Sequence, residues 1–125
     1  MLRLILLVGT GGFLGTVSRF LTSRYFTTYF PSSFPYGTFV VNVLGCLIIG
    51  LVYGMAEKGN FISNEWRLFL TVGFCGGFTT FSAFAAENMA MLRDSEFFNF
   101  FLYTSSSIFI GLLATFAGIM LIKIL

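Results

Sequence analysis

The chain has 125 residues, of which 57% are hydrophobic and only 10% are charged. A soluble domain carries about a quarter charged residues, so this composition indicates a membrane protein. The sequence contains no histidine, which excludes His-based acid–base catalysis and His-ligated metals, and we expect no enzymatic activity. A formal net charge of +2 is too small to predict a nucleic-acid partner.

Four apolar stretches are long enough to cross a membrane, which takes about 20 helical residues. They cover residues 2–21, 36–56, 66–91 and 97–122. We therefore predict an all-α membrane protein with one four-span domain. A signal peptide is the alternative for the first stretch. Its apolar character continues past Gly12 and no A-x-A-like cleavage site follows, so we expect the segment to be retained.

Residues 22–35 are predicted to form the first connector. Aromatic side chains there are typical of a membrane interface, and Pro31 and Pro35 stop helices. Residues 57–65 are predicted to form the second connector and residues 93–96 a tight polar turn.

Basic residues are nearly balanced between the two ends of this arrangement. Four spans place both termini at one end. That end is predicted to carry Arg3, Lys58, Arg67 and Lys123, and the other end Arg19, Arg24 and Arg93. Orientation follows an excess of Lys and Arg in cytoplasmic loops, so this chain could insert either way up. An ordinary orientation fixed by a partner or by the first helix remains equally open.

The third span contains the sequence GFCGGFTTFSAFAAEN at residues 73–88. Its glycines and paired threonines have low helix propensity, so we predict that the helix breaks there. Unwound carbonyls at membrane depth bind cations in other membrane proteins. Residues 76–80 have no nearby carboxylate, which favours a monovalent ion such as Na⁺ over Mg²⁺ or Ca²⁺. A plain glycine kink without an ion is the alternative.

An uncharged polar path is the second candidate feature. Asn42 is the only amide in the middle of a span, and it could serve either a pore or an interhelical hydrogen bond. Hydroxyl groups that could line a track occur at Thr38, Thr79, Thr80, Ser82, Tyr103 and Ser107. Such hydroxyls also often bond to their own backbone.

Phenylalanines recur at every third position in the third span, at Phe78, Phe81 and Phe84, and are predicted to share one helix face. The positive edge of a phenyl ring can favour an anion. Packing against lipid or within the core is the ordinary explanation, because the chain has 18 phenylalanines.

Glu87 is the only carboxylate well inside an apolar run. We expect a structural pairing with Arg19 rather than proton coupling, because deep intramembrane acids mark proton relays and Glu87 lies near the end of its span.

Residues 73–84 (GFCGGFTTFSAF) closely resemble the signature of the Fluc (CrcB) family of fluoride ion channels. Residues 35–42 (PYGTFVVN) and 11–19 (GGFLGTVSR) resemble the same family, and the similarity covers essentially the whole chain. This resemblance implies a dual-topology antiparallel homodimer with two fluoride pores in a bacterial inner membrane. It also implies a structural Na⁺ on the dimer axis, held by the backbone carbonyls of Gly76 and Thr79 from each chain.

The resemblance further implies residue roles in the pore. Phe81 and Phe84 match the phenylalanines whose ring edges contact fluoride, and Asn42 matches the pore amide. Further polar positions along the ion path are matched by Ser82, Tyr103 and Ser107, and Arg19 and Glu87 match charged positions near the vestibules. Gly111 and Ala83 depart from the family, which often has serine and threonine there. The expected mechanism is passive: fluoride enters an electropositive vestibule, exchanges water for these contacts and leaves downhill.

Two other functions remain open from the residues. Small multidrug transporters are also four-span chains of dual orientation, which makes a proton-coupled small-molecule exporter the alternative. Those transporters use a first-span glutamate, which residues 2–21 lack. A non-transporting membrane assembly subunit is the third possibility.

Overall fold

The computed structural model describes residues 1–59 and 61–125. Within these residues the secondary structure is entirely helical. Four segments are long and apolar enough to cross a membrane, namely Leu2–Tyr29, Tyr36–Lys58, Asn64–Arg93 and Phe97–Ile124. The prediction of four membrane-spanning helices is therefore confirmed.

We number the helices in chain order. Helix α1 is Leu2–Tyr29 and α2 is Tyr36–Lys58. Helix α3 is a composite of an α-helical turn at Asn64–Leu68, a π-helical stretch at Phe69–Cys75 and a short α-helical turn at Gly76–Phe78. Helix α4 is Phe81–Arg93 and α5 is Phe97–Ile124.

The first helix is longer than predicted. It continues past Leu21 to Tyr29, so the prediction that residues 22–35 form a connector is wrong for most of that range. Polar residues in the stretch are compatible with a helix, and Pro31 is the first residue that cannot continue one. The aromatic residues Tyr25, Phe26 and Tyr29 consequently lie on the last turns of α1.

Helices α1 and α3 pack through glycines at a distance that admits no side chain. A Cβ built on Gly11 would lie 2.6 Å from the carbonyl oxygen of Phe69, and one on Gly77 would lie 2.5 Å from that of Gly12. A Cβ on Gly15 would collide with the carbonyl of Phe74. The small residues of this interface therefore allow backbone-to-backbone contact, as is typical of membrane helices.

Helices α2 and α5 form the second close interface. A Cβ on Gly118 would lie 2.6 Å from the carbonyl oxygen of Leu47, and one on Gly50 would collide with the carbonyl of Thr115. The hydroxyl of Thr115 donates to the carbonyl of Cys46 at 3.1 Å across the same interface. These contacts hold the middle of α2 against the second half of α5.

Both chain termini lie at one end of the bundle, as predicted. Arg3 near the start of α1 pairs with Glu65 at 3.0 Å, and Lys123 near the end of α5 pairs with Glu57 at 3.4 Å. These ion pairs connect the start of α1 to the first turn of α3 and the end of α5 to the last turn of α2.

Candidate functional site

Two residues of extended backbone separate α3 from α4. Thr79 has φ −87° and ψ 157°, and Thr80 has φ −151° and ψ 119°. Backbone groups that leave a helix inside hydrocarbon need new partners. The amide N–H of Thr80 donates to the side-chain oxygen of Asn42 at 2.8 Å, and the side-chain nitrogen of Asn42 donates to the carbonyl of Thr80 at 3.1 Å. One amide side chain thus satisfies both backbone groups of Thr80.

The carbonyls of Gly76 and Thr79 lose the donors that a continuous helix would give them. Thr80 N–H, the i+4 donor for Gly76, is bonded to Asn42. Ala83 N–H, the i+4 donor for Thr79, is bonded to the hydroxyl of Thr80 at 3.1 Å. Both carbonyl oxygens are therefore available to another partner.

Arg19 lies inside α1 and donates from Nε to the carbonyl of Gly77 at 3.0 Å. Arg19 was predicted near the end of the first span, and because α1 continues to Tyr29 it lies well inside the helix. Its guanidinium satisfies a carbonyl next to the interruption, which links the first span to the end of α3.

Glu87 accepts two hydroxyl hydrogen bonds. Thr38 in α2 donates to one carboxylate oxygen at 2.7 Å, and Tyr103 in α5 donates to the other at 2.9 Å. The predicted pairing of Glu87 with Arg19 within the chain is wrong, since each has other partners. Thr38 and Tyr103 are both buried, so Glu87 joins three helices through a polar cluster.

The phenylalanine stripe is divided by the interruption, so the prediction that all three rings share one helix face is wrong. Phe78 belongs to α3, is buried and stacks on Phe74 at 5.2 Å between ring centroids. Phe81 and Phe84 belong to α4, with their centroids 5.7 Å apart, and the ring of Phe84 lies 5.0 Å from that of Tyr103. Phe81 is 79% exposed on the single chain.

The remaining hydroxyls divide into two groups. Thr79 donates to the carbonyl of Cys75 at 2.8 Å, which is bonding to its own backbone, and Ser82 contacts the hydroxyl of Thr80 at 3.3 Å. The hydroxyl oxygen of Ser107 is buried and lacks a hydrogen-bond partner among the described residues.

A cavity of about 470 Å³ opens at the end of the bundle opposite the termini and reaches Thr38 and Glu87. Its lining includes the carboxylates of Glu87, Asp94 and Glu96 and no Lys or Arg. This cavity of the single chain is therefore not the electropositive vestibule that we expected.

The chain matches the family described as CrcB-like protein, Camphor Resistance (CrcB), over residues 6–119. It belongs to the CrcB family. It is 45% identical to a relative from Flavobacterium psychrophilum over 98% of both chains. A relative from Chlorobium luteolum is 47% identical, with 95% of this chain and 92% of the relative covered. A relative from Bacteroides fragilis is 46% identical over 91% of each chain. Each of these relatives is named a fluoride-specific ion channel.

Four helices and family membership together make this CrcB chain a multi-pass membrane protein. At the interruption Asn42 contacts Thr80, Ser82 lies beside Thr80, and Gly76 and Thr79 precede Thr80 in the chain. A second group lies together around the first half of α4 and consists of Phe84 and Glu87 with Thr38 of α2 and Tyr103 of α5.

Sequence reasoning missed two polar residues beside this second group. Asn88 is buried, donates to the carbonyl of Phe84 at 3.0 Å and accepts from the hydroxyl of Thr104 at 3.0 Å. The signal was present, since Asn88 directly follows Glu87 in an apolar span. The hydrogen bonds of Glu87 with Tyr103 and of Asn88 with Thr104 attach α4 to α5.

Proposed function

We propose that this chain is a passive, fluoride-selective channel in a bacterial inner membrane that lowers cytoplasmic fluoride. The observation that carries the proposal is the 45–47% identity, over nearly the full length, to relatives named fluoride-specific ion channel. A channel moves an ion without transforming it, so the chain is not an enzyme.

The polar groups described above supply a path suited to a small anion. Asn42 uses one of its two N–H groups on Thr80, which leaves the other for fluoride. The hydroxyl of Ser107, which has no hydrogen-bond partner among the described residues, and the hydroxyl of Ser82 add donors. Tyr103 lies along the same path, but its O–H hydrogen is donated to Glu87. The ring edges of Phe81 and Phe84 attract fluoride weakly. A fixed cation would bind fluoride too tightly to release it, whereas conduction requires release.

An antiparallel homodimer completes this path. Phe81 is largely exposed on one chain, and a ring that is to contact an ion inside the protein needs a second chain to cover it. With Arg19 inside the bundle, the basic residues near the two ends number four against two, which is a weak bias toward one orientation. Dual insertion supplies both orientations that such a dimer requires.

In this dimer the interruption at Thr79 and Thr80 is the break in the third span, and it holds a Na⁺ at the axis. The carbonyls of Gly76 and Thr79 fit that role because their helical donors bond elsewhere and Gly76 is exposed on the single chain. Two chains contribute four neutral oxygens, a set suited to a monovalent cation. Bound Na⁺ supplies positive charge that holds the two interruptions together.

Na⁺ removal tests this part of the proposal. In buffers of constant ionic strength, replacing N-methylglucamine with Na⁺ should raise the melting temperature of the purified protein, because a ligand that binds only the folded state stabilises it. K⁺ at the same concentration is the control. Equal melting temperatures in Na⁺, K⁺ and N-methylglucamine would contradict a bound Na⁺.

The proton-coupled exporter is not favoured by the relatives' names, and the hydroxyl partners of Glu87 serve a structural role. A fluoride electrode outside loaded liposomes separates the two functions. We expect fluoride efflux down its own gradient at equal rates with and without a pH gradient. Efflux that appears only with a pH gradient, and disappears in Glu87→Gln, would establish the exporter instead.

A further inference from the structure

An apolar groove runs along the outer face of α1. Its first part, about 450 Å³, is lined by Leu6, Thr10 and Phe69, with Arg3 and Glu65 at its mouth. Its second part, about 410 Å³, adds Gly9 and Phe13. Leu6 and Thr10 line both parts, so the groove is continuous from Arg3 to Phe13.

Gly9 forms a notch in this groove. A Cβ built on Gly9 would meet nothing within 4 Å, whereas one on Gly11 would meet the backbone of α3 at 2.6 Å. Gly11 thus serves helix packing and Gly9 does not. The space beside Gly9 is open to whatever covers the outer face of α1.

The length of the groove matches one leaflet of a bilayer. Arg3 and Phe13 are ten residues apart in a helix, which at the α-helical rise is about 15 Å. The hydrocarbon core of a bilayer is about 30 Å thick, so a leaflet contributes about half of it. An acyl chain that starts at the level of Arg3 therefore reaches Phe13.

The charges at the mouth complement a zwitterionic head group. An Arg3 guanidinium nitrogen lies 3.0 Å from a Glu65 carboxylate oxygen, and the two side chains are 78% and 44% exposed. Exposed ion pairs are weak, so both groups can take other partners. A guanidinium matches a phosphate, and a primary ammonium can donate to a carboxylate. The quaternary ammonium of choline has no N–H to donate.

We propose that this groove binds one phospholipid with a phosphoethanolamine head group. The acyl chain lies along α1 over Gly9, the phosphate accepts from Arg3, and the ammonium donates to Glu65.

Native mass spectrometry of protein exchanged with equal amounts of phosphatidylethanolamine, phosphatidylcholine and phosphatidylglycerol tests the proposal. The wild type should retain phosphatidylethanolamine, one per chain, about fivefold more than phosphatidylcholine, the ratio expected from one charged contact near the surface. Gly9→Leu fills the notch and should lose the retained lipid. Ala117→Leu, which places the same side chain on an exposed face of α5, should keep it.

Glu65→Gln gives an independent result at an exposed position, should Gly9→Leu fail to fold. Removal of the carboxylate leaves Arg3 unpaired. The variant should therefore retain more of the anionic phosphatidylglycerol than of phosphatidylethanolamine. Equal retention of phosphatidylethanolamine and phosphatidylcholine by the wild type would overturn the proposal. Retention of the same lipid by Gly9→Leu would also overturn it. If that variant keeps its lipid but loses the dimer, a second chain covers the groove instead.

Discussion

Asn42 is the residue on which the connection between α3 and α4 depends. Its side chain forms hydrogen bonds with both the N–H and the carbonyl of Thr80. The interruption leaves these two groups without the backbone partners that a continuous helix would provide. In Asn42→Leu both groups lose their partner, and each unsatisfied buried group costs about 1–3 kcal/mol. We expect a lower free energy of unfolding in mixed-micelle titrations, together with reduced fluoride efflux.

Asn99→Leu is the matched control. Asn99 is a half-buried amide in the first turn of α5, and the structure records no side-chain hydrogen bond from it to the described residues. Its replacement should leave stability nearly unchanged. Equal stability losses in the two variants would mean that the bonds to Thr80 do not hold the interruption.

Sequence reasoning identified Asn42 because a lone amide in a span must find a partner. The structure supports the interhelical hydrogen bond, and the pore role stays a prediction. The partner of Arg19 could not be predicted, because it is the backbone carbonyl of Gly77. Every residue has such a carbonyl, so the sequence does not single this one out. Charge attraction pointed to Glu87, whose two nearest donors are hydroxyls on other helices.

At the scale of the elements, glycines set the distance between helices. Gly11, Gly15, Gly73 and Gly77 lie at the α1–α3 interface, where a Cβ on any of them would meet backbone atoms of the facing helix. The π-helical winding of Phe69–Cys75 was not predicted. Propensity and periodicity describe single residues and faces, whereas this winding involves the hydrogen-bond register of seven consecutive residues packed on α1.

Gly15→Ala tests the close approach of these helices. The added methyl group would collide with the carbonyl of Phe74, so α1 and α3 must separate at a cost of about 1–3 kcal/mol. Gly9→Ala, in open space on the same helix, is the control and should gain stability through helix propensity. Thermal unfolding in detergent compares the two. If Gly15→Ala melts at or above the temperature of Gly9→Ala, the interface is looser than described.

At the scale of the whole molecule, the four-helix arrangement followed from composition and span length. Which surfaces face lipid and which face another chain did not follow, because both are apolar. The single chain exposes many large apolar side chains along its helices, Phe81, Phe109 and Phe116 among them.

The antiparallel dimer predicts complementation between variants of opposite orientation. Ser32→Lys and Ser33→Lys, combined with Lys58→Gln and Arg67→Gln, reverse the count of basic residues from four against two to two against four. Two lysines appended after Leu125 raise it to six against two. Each change should bias insertion one way and so lower fluoride resistance in cells when expressed alone. Co-expression of both should restore resistance. Full activity from either one alone would contradict the dual orientation.

The most direct test of the central claim compares initial fluoride and chloride efflux from liposomes for the wild type, Phe84→Ile and Phe109→Ile. Phe109, on an exposed face of α5, controls for loss of a ring as such. We predict rapid fluoride efflux without chloride efflux in the wild type and in Phe109→Ile. Phe84→Ile should lose about fivefold in fluoride efflux, since a ring-edge contact contributes about 1 kcal/mol. Chloride efflux as fast as fluoride efflux in the wild type, or an unchanged rate in Phe84→Ile, would contradict the account.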